Sequence, residues 1–297
     1  MRRPTTVEAM LLTTITLWAL NLTVTRYILT HGFRPLAYTT VRYGIAALVF
    51  LALTLAAERS LSVRRHDLPL VGAAALALCV NQFGFVYALK TTSASVIGLI
   101  LGATPIFAAL LGLALRTERL SRRFWLGALI SFGGVGLITA GAGGQLSGDL
   151  GGILLGVLTA ATWGAYSVAI APLMRRYSPS RISALVLSLT WVALALAGIR
   201  QTTAQDFALG WRVWALLLFA TLGPLVVTNL LWFRSLHRIG PSRATLAANL
   251  QPFIGAVFAV VLLSESMSAV QVVGGVCIAA GIVVARRRSG AQVVPAD

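Results

Sequence analysis

Apolar residues run in long, nearly uninterrupted stretches along this chain, and polar positions collect in the short segments between them. The stretches fall at residues 8–29, 36–57, 68–89, 93–115, 122–140, 149–171, 181–199, 211–233, 241–263 and 268–285. An α-helix rises about 1.5 Å per residue, so each stretch can cross a hydrocarbon core of about 30 Å. Strands of a membrane barrel would be about ten residues long and would alternate apolar with polar. Continuous runs therefore predict helices. Turn formers separate several of them, at 32–35, 141–144 and 177–180. The expected fold is all-α and integral to the membrane, with ten transmembrane helices.

Composition agrees. Of 297 residues, 58% are apolar and 11% charged, against about 25% charged in an ordinary soluble domain. Ten spans leave no room for a separate globular domain. The net charge of +16 raises nucleic acid as a partner, but the arginines lie in short clusters between apolar runs and form no basic face. No nucleic-acid partner is expected; membrane lipid is. Cys79 and Cys277 fall inside apolar runs and read as small buried hydrophobes. Neither a disulfide, a metal site nor a cofactor is expected. The basic start, Met1 to Pro4, precedes a run too long for a cleaved signal core, which reads as the first span.

The cations orient the spans. With both termini on the cytoplasmic side, eighteen arginines fall in cytoplasmic segments, five cations on the far side, and Arg42 within a span. That imbalance follows the positive-inside rule, and an odd span count would scramble it.

The second half of the chain repeats the first. At one gapless offset Leu89 aligns with Leu236, Pro105 with Pro252, Glu118 with Glu265, Ser121 with Ser268, Gly127 with Gly274 and Gly134 with Gly281. A nearly identical offset pairs Trp18 with Trp163. The expected units are a five-helix repeat over 1–140, a second over 148–288, and a disordered cytoplasmic tail at 289–297. Five is odd, so the second copy sits inverted relative to the first. The loop charges agree: the loop after the fourth run holds four arginines, and its counterpart, 264–268, holds none. Inverted repeats are a recurrent basis of alternating access in transporters.

These paired prolines, glutamates, serines and glycines resemble the EamA-type family of the drug/metabolite transporter superfamily, over about residues 8–288. The specific part is ten spans in a tandem repeat, with a mid-helix proline and a glutamate ending the same helix, twice. Arg42 looks like an arginine the family often carries near the start of its second span. The second copy departs from this, with Val186 or Ser188 near the corresponding place. The resemblance implies a secondary exporter of amino acids or other metabolites in a bacterial inner membrane. Within the family, the chain looks most like the bacterial aromatic amino acid exporters.

The residues themselves suggest where a solute would bind. Proline lacks an N–H, so Pro105 and Pro252 each leave unpaired the carbonyl four residues earlier, at Leu101 and Ala248. In lipid, such groups need neighbours or a wet cavity. Thr104, Asn249 and Gln251 flank these prolines; Pro224 similarly precedes Thr228 and Asn229. Pro105, Pro252 and Pro224 are therefore candidate hinges, with packing kinks as the plain alternative. Trp18 and Asn21 are three apart and share a helix face, and Trp163 with Tyr166 repeats that spacing. With Asn81, Gln82, Tyr87, Asn229 and Trp232 they are expected to line a cavity of rings and neutral hydrogen-bonding groups where the two repeats meet. Such rings stack on flat solutes and attract cations. The alternatives are interfacial belts, preferred for Trp125, Trp211 and Trp214, and helix-joining amides. Arg42 would cost about 2.5–3.5 kcal/mol at mid-bilayer; it is placed as a cation at the outer mouth that meets a solute carboxylate, or else bonds backbone carbonyls. Glu118 and Glu265 precede Ser121 and Ser268, the expected starts of the next helices by their capping chemistry, and are assigned structural roles there.

All eight acids lie at span ends, in loops or in the tail, and none sits at mid-membrane, where proton relays occur. Facilitated diffusion is expected rather than strict proton antiport; a proton-coupled drug or metabolite pump is the alternative, and a channel is the alternative of another class. Small cation exporters of the same superfamily rely on an acid in the first span, where this chain has Asn21. No enzyme is expected, because His31, His66 and His237 lie at span ends without an acid at depth. The expected unit is a monomer with a small-molecule substrate.

Overall fold

Helix occupies the apolar runs in the computed structural model, which describes residues 6–91, 94–141, 150–263 and 268–286. Glu265, the acid Asp149, the turn at 142–144 and the expected tail at 289–297 lie outside the described residues. Among those described, the chain is all-helical: α1 (Thr6–Thr30), α2 (Pro35–Glu58), α3 (Leu68–Thr91), α4 (Ala94–Leu101), α5 (Thr104–Ala114), α6 (Arg122–Gly141), α7 (Leu150–Leu173), α8 (Pro179–Thr203), α9 (Gly210–Thr221), α10 (Thr228–Ile239), α11 (Pro241–Ala248), α12 (Gln251–Leu263) and α13 (Ala269–Arg286). A π-helical segment, Leu222–Val227, joins α9 to α10.

Among the described residues, seven helical stretches are long and apolar enough to cross a membrane. The expected count of ten spans is not confirmed by this. The runs 93–115 and 241–263 are each broken in two, and the last is a shorter apolar helix, Ala269–Ala285. Proline explains the breaks. It removes one helical donor, here the one owed to the Leu101 and Ala248 carbonyls. The two breaks have the same geometry. Gly102 and Ala103 donate back to Leu99 and Ile100 at 3.1 and 3.0 Å, and their repeat counterparts Asn249 and Leu250 donate to Leu246 and Ala247 at 3.2 and 3.1 Å. Each helix then restarts with its proline in the first turn of α5 or α12, where a missing N–H costs least.

The chain divides into two compact units that do not follow the sequence repeats: Met1–Val86 with Ala169–Arg238, and Tyr87–Val168 with Ile239–Asp297. Each unit is organised around a pair of counterpart helices. In the first, α2 packs on α8. A Cβ on Gly44 would lie 2.7 Å from the Trp191 Nε1, and one on Gly198 would lie 3.0 Å from the Leu36 Cβ. Residue number rises along one helix as it falls along the other, so the pair is antiparallel. In the second, α6 packs closely on α13, with glycines at the nearest approach and Val135, Ile138 and Ile278 beside them. A Cβ on Gly134 would lie 2.6 Å from the Gly274 carbonyl, and one on Gly274 would lie 2.7 Å from the Gly134 carbonyl. Gly127 and Gly281 face each other in the same reciprocal way. These are the glycines the repeat aligns, and their exchange describes an antiparallel pair with local two-fold symmetry.

The ends of α2 and α8 are tied differently. Leu36 N–H and Arg34 N–H donate to Gln201 and Gln205 at 2.9 and 2.7 Å. At the other end, Ser178 caps α8, accepting from Arg181 N–H at 3.1 Å, and donates to Glu58. Arg181 pairs with Glu58 at 2.7 Å, and Arg176 pairs with Asp67, which also accepts from the Tyr177 hydroxyl at 2.7 Å. The first N–H groups of α2 are thus met by side-chain amides, and one of α8 by the Ser178 hydroxyl, with ion pairs beside it. Helix hydroxyls, among them Thr14, Thr139 and Thr221, donate to carbonyls four residues back, as a lipid setting favours.

Candidate functional site

In the first unit, the prolyl break between α9 and α10 draws together residues that lie far apart in the sequence. Thr228 Oγ1 donates to the Pro224 carbonyl at 2.6 Å. The Trp18 indole, from α1, donates to the same carbonyl and to Thr228 Oγ1, both at 3.2 Å. Its ring meets Trp232 at 4.9 Å between centroids, tilted by 55°. Arg42 reaches the Ala220 carbonyl with Nε at 3.2 Å and Nη2 at 3.0 Å, and Nη2 also meets Asn21 Oδ1 at 3.4 Å. Its guanidinium stands 5.8 Å over the Tyr38 ring. Ala220 lies four residues before Pro224, so Arg42 serves the carbonyl that proline leaves without its helical donor.

Asn229 stands beside this cluster, three residues from Trp232 and so on the same face of α10. It is 4% exposed, and its Nδ2 has no hydrogen-bond partner among the described residues. A buried donor left unmet costs about 1–3 kcal/mol. Asn81 is buried on α3 and accepts from Gln82 Nε2 at 3.0 Å.

The second unit holds the remaining candidates. Trp163 and Tyr166 lie 5.3 Å apart on α7, tilted by 39°. Tyr166 is fully buried, as Trp232 is in the first unit. Near them α7 passes α5 closely, since a Cβ on Gly164 would lie 2.9 Å from Ala108 N. Thr104 is buried at the start of α5; Tyr87 and Gln251 are half-buried. Asn249 uses its carboxamide to tie the two breaks, donating to the Gly102 carbonyl and to Ser131 Oγ, both at 3.1 Å. Gly102 is its own repeat counterpart. Sequence reasoning missed Ser131 here, because a lone serine in an apolar run carries no signal of its partner.

Glu118 is seated elsewhere than its sequence neighbours suggest. Ser121 does cap α6, accepting from Phe124 N–H at 3.3 Å. The carboxylate, however, takes the hydroxyl and N–H of Ser242 at the start of α11. Gly240, with φ +81°, leaves room for it against the backbone. Burial pushes the Glu118 carboxyl up; Ser242 and the nearby Arg243 oppose that without cancelling it. Ser268 and Gln271 form a reciprocal capping box at 2.9 and 3.3 Å at the start of α13. No cluster of His, Cys, Asp and Glu able to hold a metal occurs among the described residues.

A family model described as the EamA-like transporter family matches residues 5–140 and 150–287. The chain belongs to this family. It is therefore a multi-pass membrane transporter built from two EamA repeats, acting on small molecules in a lipid setting. Two curated proteins are similar to it. The uncharacterised transporter YyaM of Bacillus subtilis is 23% identical over 264 residues, covering 84% of this chain and 86% of its own. A probable amino-acid metabolite efflux pump of Salmonella typhimurium is 26% identical over 279 residues, covering 90% of each. One solved crystal structure superposes with a TM-score of 0.77 at 22% identity, over 94% of this chain and 96% of the other. At that identity the likeness speaks for the fold.

Proposed function

We propose that this transporter exports amino acids and similar amphipathic zwitterions, aromatic ones foremost, across a bacterial inner membrane by alternating access. The observation that carries the reading is Asn229: a buried, unmet donor beside the Trp18–Trp232 pair. A solute ring stacks on the indoles while a solute oxygen takes the Asn229 amide. Asn21, Asn81 and Gln82 add neutral polar groups in the same unit; within the second unit, Tyr87, Thr104, Trp163, Tyr166 and Gln251 are proposed by themselves as solute-contacting residues. Arg42 is the cation of the set. Nε and Nη2 are engaged, and Nη1 has no hydrogen bond among the described residues, so Nη1 is the donor assigned to a solute carboxylate. The likeness to a probable amino-acid metabolite efflux pump supports the substrate class.

Ten membrane crossings, with two inverted five-helix halves and both termini cytoplasmic, complete the proposal. The antiparallel glycine exchange of α6 and α13 supports the inversion. Pro105, Pro252 and Pro224 are the hinges, and a monomer is the working unit. Central helix turns among the described residues carry no carboxylate, which supports movement down the solute gradient without obligatory proton exchange.

Counterflow in proteoliposomes tests this directly. Saturable exchange of labelled tryptophan or phenylalanine is expected, persisting when the pH gradient is collapsed. Flux that vanishes with the gradient would show a proton-coupled pump, and steady conductance without saturation would show a channel. Asn229→Leu is expected to raise the thermal stability of the empty protein and to raise KM, because it removes an unmet donor that the solute would satisfy. Unchanged KM would remove Asn229 from the site.

A further inference from the structure

Arg42 has a task in the empty protein that the solute does not explain. Pro224 cannot return an N–H to the Ala220 carbonyl, and the chain relaxes there into the π-helical segment Leu222–Val227. Arg42, 7% exposed on α2, reaches across and donates to that carbonyl from two of its nitrogens. One of those nitrogens also meets Asn21 on α1, the residue one turn from Trp18. A guanidinium suits this task because its donors are fixed in a planar fork; an ammonium offers a single point. We propose that Arg42 is the positioning residue of this break, replacing the donor that Pro224 lacks and so fixing where Thr228, Asn229 and Trp232 stand against Trp18.

The second copy supplies independent support. At the repeat offset, Pro224 corresponds to Ala77, and α3 runs unbroken through that place, with no proline after Pro69. Where the counterpart helices α8 and α3 meet, Thr190 donates to the Ala75 carbonyl at 3.2 Å, two residues from the position that matches Ala220 and on an intact helix. With no prolyl break to serve, α8 carries Val186 and Ser188 near the place where α2 carries Arg42. The arginine and the proline are present together in one copy of the contact and absent together in the other.

This positioning role concerns the face assigned above to the solute, yet its main test needs no transport. Thermal unfolding of the purified full chain is compared for the native sequence, Arg42→Gln, Pro224→Ala and both together. Arg42→Gln is expected to lower the midpoint by several degrees, and by less than half as much in the Pro224→Ala background, where residue 224 can bond Ala220 itself. Arg42→Lys should fall between. Equal shifts in the two backgrounds would overturn the proposal. Should Arg42→Gln alone not yield folded protein, recovery in the double variant supports the proposal and failure to recover overturns it. Counterflow of an amino acid amide, which lacks the carboxylate, adds a functional readout. Its Vmax should drop severalfold in Arg42→Gln, with Arg42→Lys in between; an unchanged Vmax would overturn the positioning role. A raised KM confined to the free acid reports on the solute-cation reading alone.

Discussion

Trp18 serves the transporter in two ways that substitution can separate. Its ring packs on Trp232, and its N–H reaches the Pro224 carbonyl and Thr228. Trp18→Phe keeps a ring and loses one donor, worth about 0.5–1.5 kcal/mol. KM in counterflow should therefore rise by no more than about tenfold. Trp18→Ala removes the platform and should abolish saturable exchange; retention of native KM would place the solute elsewhere. Glu118 makes a prediction in pH. Its folded-state pKa is raised, first by burial. The stability it lends is complete below the ordinary carboxylate value and is lost as pH rises through the folded-state value. Glu118→Gln keeps an acceptor for Ser242 and should flatten that decline, as read from unfolding midpoints across pH. At this scale the sequence offered residue types: tryptophans, amides, Arg42 and Pro224 all stood out in apolar runs. It could not indicate partners. Ala220 is an alanine in an apolar run, and only the backbone geometry makes its carbonyl the acceptor for Arg42.

Elements were the most legible level where apolar runs were unbroken. The predicted 36–57 and 122–140 differ from α2 and α6 by a residue at each end at most. Prolines marked the interrupted runs, but the sequence suggested kinks where the chain stops and restarts its helix. The difference is physical: each proline withholds the donor that would continue the helix, and the two residues at Gly102–Ala103 and at Asn249–Leu250 tighten to bonds three residues back. Aligned glycines were read as evidence of a repeat; their use emerged only with α6 against α13. Gly134→Leu should clash with the Gly274 backbone, which cannot yield as a side chain could. A loss of about 1–3 kcal/mol is expected, as for other overpacked sites. Gly133→Leu, on a position with nothing within reach, should leave the unfolding midpoint unchanged. Equal effects at the two positions would deny the close crossing.

For the whole molecule, the large apolar surface is the governing fact. Leu48, Leu76, Leu154 and Leu196 are each at least 60% exposed, a load that lipid tolerates and water does not. Family membership makes the chain a transporter. We propose beyond this that its two repeats enter the membrane in opposite senses, which is what lets one solute site open alternately to either side. Sequence charge supports that reading only through loop arginines, since the counterpart loop carries none. Single cysteines in a background of Cys79→Ala and Cys277→Ala, placed at Arg122 and at Glu265 and labelled from each side of intact cells, measure it most directly. Labelling of the first from the cytoplasm and of the second from outside is the predicted result. Labelling of both from the same side would contradict the opposed repeats.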